Sequence, residues 1–335
     1  MYKSILFLGL TLLILSCKAP EKQRLDEEVM AAMGAEVKNG FVKMADDFRS
    51  QLAADPGSVE ALLGLAETQI TLYIFGFSPR EELIAEARES FQQAWKLDSM
   101  NSGVRTLEGM LALLDWRWED ARDAFQRAIE LDPQNLKARH WYSLYFSAMK
   151  LFDLAMAQSD TIYSMDPAGH YLIGRGSLLY FARRNEELKD LMIKVVAKDT
   201  AVAWGYDWLG MAYIELEDFE NSIDTYYKAF NLSDGTVEVG GGLGHALGLA
   251  GEYETAKKMA DFYSLQSKDH YLPPVQRAFI HIGIGEYDEA ISLLEQAYEE
   301  HSWFLAFMQA EPWLDPLRDD PRFDQILRKM NYPEF

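Results

Sequence analysis

A chain of 335 residues that is 49% hydrophobic and 13% aromatic has ample material for a packed core, which excludes a disordered protein and leaves one long domain or two compact ones. Its 53 acidic residues against 32 basic ones give a formal charge of -21. That field repels phosphate backbones and anionic headgroups, so nucleic acid is not an expected partner.

The chain begins with Lys3 and an apolar run from Ile5 to Leu15, too short to span a bilayer as a mature helix; it reads as a secretion signal over 1–16. Ile14-Leu15-Ser16-Cys17 resembles a bacterial lipobox, in which the leader is cut before the cysteine and that cysteine is lipidated. The competing reading is an uncleaved anchor with an incidental thiol, which the run length disfavours. Cys17 is the only cysteine, so no internal disulfide can form. Lipidation at Cys17 would give stable membrane attachment. Lys18 in place of an aspartate resembles the pattern that sorts such proteins to the outer membrane, and the charged stretch 17–28 reads as a tether. Over 29–56, Phe41, Met44, Phe48 and Leu52 stand at helical spacing before Asp55-Pro56, as in a partial leading repeat that caps a stack.

The organising stretch is WRWEDARDAFQRAIELDP, Trp116 to Pro133. Ala121, Phe125 and Ala128 share one helix face, and Pro133 stops the helix. The ladder recurs as Ala87, Phe91 and Ala94, and as Ala155, Ser159 and Ile162. It resembles the second helix of a tetratricopeptide repeat. Repeat starts set from the ladder fall at 57, 102, 136, 169, 203, 237 and 271, a period of 34 with one insertion. The eighth positions are Gly64, Gly109, Ser143, Gly176, Gly210, Gly244 and Ala278, small where two helices cross closely. The twentieth positions are Ala87, Ala121, Ala155, Leu188, Ser222, Ala256 and Ala290. The resemblance implies an all-α fold, a right-handed tetratricopeptide superhelix of about seven helix-turn-helix repeats over 57–301, with a C-terminal helical cap over 302–335.

Three stretches depart from the pattern. The insertion around Tyr73 to Glu82 carries Phe75 and Phe77 and reads as cover for a core, with a partner surface as the alternative. Gly235, Gly240, Gly241, Gly242, Gly244, Gly248 and Gly251 have no preceding strand, which argues against a phosphate loop and predicts a weak helix start or a hinge. From His301 onward, Trp303, Phe304, Phe307, Met308, Trp313, Leu314 and Leu317 leave the period, and Phe323, Ile326, Leu327 and Met330 mark a closing helix expected to cover the open end.

WRWEDARDAF, GLGHALGLAGEYETA and AYEEHSWFLAFMQAEPWLDPLRDDPRFDQILRKM resemble the tetratricopeptide tails of bacterial signalling proteins that carry winged-helix or nucleotide-cyclase domains. No such effector domain is recognisable in this chain, so only the solenoid and a role in gathering partners carry over.

The same resemblance implies that the first helices line a concave groove. It points to Lys137, His140, Leu144, His170, Ser177, Tyr180, Trp204, Asp207, Trp208, Met211 and His245 as the partner-binding residues. The histidines lie in different repeats without HExxH or CxxC spacing, so a metal is not expected; a pH-responsive groove is the alternative. There is no G-x-S-x-G motif and no P-loop. The expected function is a non-enzymatic, lipid-anchored scaffold of the bacterial envelope, without cofactor, holding a protein or peptide in its groove. Capture of a glycan or small ligand is the alternative.

Overall fold

The computed structural model describes residues 27–334 apart from 167, 168 and 170. Cys17 and His170 therefore lie outside the described residues. A short helix α1 (Glu27–Ala32) leads into α2 (Ala35–Ala54), and seven antiparallel helix pairs follow. These are α3 and α4 (Val59–Ile74, Arg80–Leu97), α5 and α6 (Ser102–Leu114, Trp118–Leu131), and α7 and α8 (Leu136–Ala148, Phe152–Met165). Next come α9 and α10 (Leu172–Phe181, Asn185–Lys198), α11 and α12 (Ala203–Glu215, Phe219–Leu232), α13 and α14 (Val237–Leu249, Tyr253–Gln266), and α15 and α16 (Pro274–Gly283, Tyr287–Glu299). Two 3-10 turns, Trp303–Phe307 and Pro312–Leu317, precede α17 (Pro321–Met330). The all-helical stack of seven pairs is the expected solenoid.

Each pair is made by the same local chemistry. The first helix ends in a residue of left-handed conformation, such as Trp116 (φ 56°), Lys150 (φ 59°) or Glu217 (φ 59°). The next amide then reaches back five residues: Arg117 N–H donates to Ala112 O at 2.9 Å, and Leu151 N–H to Phe146 O at 2.8 Å. Inside the pairs, the small residues do what their size predicts. A side chain on Gly109 or Gly210 would strike the ring of Phe125 or Tyr226, while Ala87, Ala121, Ala155, Ala256 and Ala290 are fully buried.

The glycines of α13 correct the expectation of a weak, hinged helix. The helix is continuous, and Gly241, Gly244 and Gly248 form a seam against α15. A Cβ on Gly248 would lie 2.4 Å from the carbonyl carbon of Gly283. The missing side chains let two backbones touch, and the packing offsets the loss of helix propensity.

The solenoid closes on itself. Gly34 N–H donates to Asp234 O at 2.7 Å, and Lys38 Nζ donates to Phe77 O at 2.8 Å. The insertion in the first repeat spans the ring: Phe75 stacks on Trp204 at 4.6 Å, and Tyr73 OH accepts from Trp303 N–H at 2.9 Å and donates to His301 O at 2.8 Å. At the other end, Trp118 Nε1 donates to Met330 O at 3.0 Å and stacks on Tyr332.

Candidate functional site

The closing segment does more than cover an open end. Its 3-10 turns lie against α5, α7 and α15, inside the concave face. Phe307 stacks on Phe181 at 4.8 Å, Trp303 meets Trp141 edge-on at 6.0 Å, and Gln309 Nε2 donates to Ala148 O at 2.7 Å. The two prolines and the short turns keep residues 302–317 from forming a further amphipathic helix pair, so their large apolar side chains pack inward.

What remains of the groove is a cavity of about 270 Å³. His140, Leu144, Ser177, Tyr180, Trp204, Asp207, Trp208 and Met211 all line it, brought together from α7, α9 and α11. Three expected groove residues are elsewhere or undescribed. Lys137 is drawn off into an ion pair with Glu67 of α3. His245 is buried beside the cavity, stacked on Trp313 at 4.3 Å, with Nδ1 2.8 Å from Phe279 O. His170 is outside the described residues.

Sequence reasoning did not include Phe75, Tyr226, Gln276, Trp303, Phe304, Glu311 and Trp313 among the groove residues, yet they complete the wall. A usable signal existed for one of them: Glu311 is an acid inside an apolar run, a pattern that marks a buried polar role.

The electrostatics are one-sided. Among the described residues lining the cavity, Asp207, Glu238 and Glu311 carry carboxyl groups and none is lysine or arginine. Burial lifts Asp207 to about 7. Burial, reinforced by the neighbouring Asp207, holds Glu238 well above its ordinary value. Burial also lifts Glu311 to about 7, although Glu311 accepts hydrogen bonds from the Tyr180 hydroxyl and from Trp313 N–H at 3.1 Å. His140 and His245 are each pushed down to about 4 by burial, so both are neutral at physiological pH. No group of histidine, cysteine and acidic residues suited to a metal ion occurs among the described residues.

The tetratricopeptide-repeat family model matches residues 205–235, one repeat length on α11 and α12. No curated protein sequence matches the chain. Among solved structures, the APC/C hetero-tetramer Cut9–Hcn1 aligns at 15% identity and a TM-score of 0.56, over 91% of this chain and 54% of that one. A tetratricopeptide repeat protein from Parabacteroides merdae ATCC 43184 aligns at 15% identity and a TM-score of 0.53, over 77% of this chain and 98% of that one. The chain thus spans about half the length of the Cut9–Hcn1 chain it matches. The helix pairs, the repeat match and these likenesses together establish an α-solenoid of the tetratricopeptide-repeat fold.

Proposed function

We propose that this protein is a non-catalytic scaffold, tethered by a lipid on Cys17 to a bacterial envelope membrane and engaging a protein partner through the outward face of its second helices. The observation that carries this reading is the occupation of the concave face by the chain's own residues 302–317. Leu305, Phe307, Met308, Trp313, Leu314 and Leu317 are all buried there. At about 1.5–3 kcal/mol for each such side chain, expelling the segment costs on the order of 10 kcal/mol. A peptide of micromolar affinity gains only about 8 kcal/mol. A partner is therefore expected on the outside, where Tyr163 of α8 and Tyr253 and Leu265 of α14 are each more than half exposed.

The test is in-cell photocrosslinking from Tyr163, Tyr253 and, as an interior control, Trp204, with fractionation of a Cys17→Ser variant. A discrete protein adduct from the exposed positions, and loss of the variant from the membrane fraction, are expected. An adduct from Trp204 would return the partner to the concave face. Silence at all three positions in a normally abundant protein would remove the scaffold reading, and a variant still in the membrane fraction would remove the lipid tether.

A further inference from the structure

The interior cavity has a chemistry of its own, independent of any partner outside. Its walls are aromatic, with Trp204, Trp208, Trp303, Phe304 and Trp313 among them, and its charge-bearing groups are acids. Five residues of its wall also hold a buried polar atom without a hydrogen-bond partner: Glu238 Oε2, Gln276 Oε1, Tyr226 OH, Trp303 Nε1 and Trp313 Nε1. Gln276 is only 3% exposed and Tyr226 is fully buried. Folded proteins pair the large majority of such groups, because an orphaned one is destabilising. Five such atoms belong to residues in the wall of this one cavity.

We propose that this pocket binds a small organic cation, an amine or quaternary ammonium compound, with the carboxyl groups of Asp207 and Glu238 as counter-charge and the rings of Trp204, Trp208, Trp303 and Phe304 as its cage. Indole and phenyl rings attract an ammonium group through the negative potential over their faces. Glu238 Oε2 and Gln276 Oε1 have no partner to give up when a side-chain rotation turns them toward an ammonium N–H or an acidified C–H. The free indole N–H groups of Trp303 and Trp313 suit an oxygen on the same molecule, such as a hydroxyl. A hard metal ion would want several oxygen ligands at short range, and the described residues do not offer such a group. An anion would find no cationic side chain among the described lining residues. The net charge of -21 adds long-range attraction for cations.

Binding also resolves the electrostatic tension of the pocket. Asp207 and Glu238 are both shifted toward the neutral form in the absence of a counter-ion, and a bound cation returns them to carboxylates. Glu311 shares the pocket but is already held by Tyr180 and Trp313, and His140 stays neutral.

Isothermal titration of the detergent-solubilised full-length protein with choline, tetramethylammonium, n-butylamine and putrescine tests the proposal, with 3,3-dimethylbutanol as the uncharged isostere of choline. At least one cation is expected to bind with micromolar to millimolar affinity, and the alcohol to bind far more weakly. Asp207→Asn and Glu238→Gln, which keep side-chain volume, should each lower cation affinity by at least about tenfold, with melting temperatures equal to or above that of the unmodified protein. If the alcohol binds as tightly as choline, if both variants bind cations unchanged, or if no cation binds to protein that melts cooperatively, the proposal fails.

Discussion

Tyr180 and Glu311, 131 residues apart in the chain, share a buried hydrogen bond in which the phenol donates to the carboxyl group. It ties the first helix of the fourth pair to the segment that fills the concave face. Because Glu311 is 3% exposed and its carboxyl group has no cationic hydrogen-bond partner, it resists ionisation.

The part of the stability that Glu311 contributes should therefore fall as pH rises, against the opposite trend of His140 and His245, whose values are pushed down to about 4. Glu311 has an ordinary value of 4.5 and a folded value of about 7, so the folded state holds its proton more tightly than the unfolded chain. Its contribution is complete below about pH 4.5 and is lost as pH climbs through about 7, up to about 3 kcal/mol in all. Asp207, lifted from 3.8 to about 7, acts in the same direction. Urea melts at pH 5 and pH 8 should show Glu311→Gln losing less stability, or gaining more, across this range than the unmodified protein does. A Glu311→Gln protein with the full pH dependence would show that this carboxyl is not its source.

The filling segment should behave as core. Phe307 is 2% exposed and stacked nearly parallel on Phe181, so Phe307→Ala is expected to cost about 3–5 kcal/mol in chemical denaturation. A loss under about 1 kcal/mol would mean that the segment is only loosely seated.

Two glycine-to-alanine changes should have opposite signs. Gly40 in α2 has nothing within 4 Å of a new Cβ, so Gly40→Ala should stabilise by up to about 1 kcal/mol through helix propensity. At Gly248 the same atom would meet the backbone of Gly283, and Gly248→Ala should destabilise by about 1–3 kcal/mol as α13 and α15 separate. Thermal melts of the two variants side by side check both.

The turn residue Glu217 is exposed and left-handed, at φ 59°. Glycine adopts that conformation without the Cβ clash, which costs other residues about 1–2 kcal/mol. Glu217→Gly should therefore raise stability by up to about 1 kcal/mol, read from the shift in urea midpoint at constant slope.

Several features were legible because they are local. The 34-residue ladder placed every helix pair, because the burial of Ala121 or the crossing at Gly109 depends on side-chain size at fixed spacing within one hairpin. The same register named eight of the residues that line the cavity, including Trp204 and Asp207, since the first helices of a solenoid share an inner face. The glycines of α13 were visible too, but their purpose was not. Whether a small residue loosens a helix or admits a neighbour depends on what lies opposite, here Gly283 two helices on.

Only the tertiary structure decided that the groove is filled and the ring closed. Trp303, Phe307, Glu311 and Trp313 have no periodicity that says which surface they seek, and their partners Tyr73, Phe181, Tyr180 and His245 lie far away in the chain. Repeat pattern determines each unit's shape through contacts within about one period. Small rotations between units, summed over seven pairs, determine whether the two ends meet. That sum brings Phe75 onto Trp204 and narrows a concave face to an acidic, aromatic pocket.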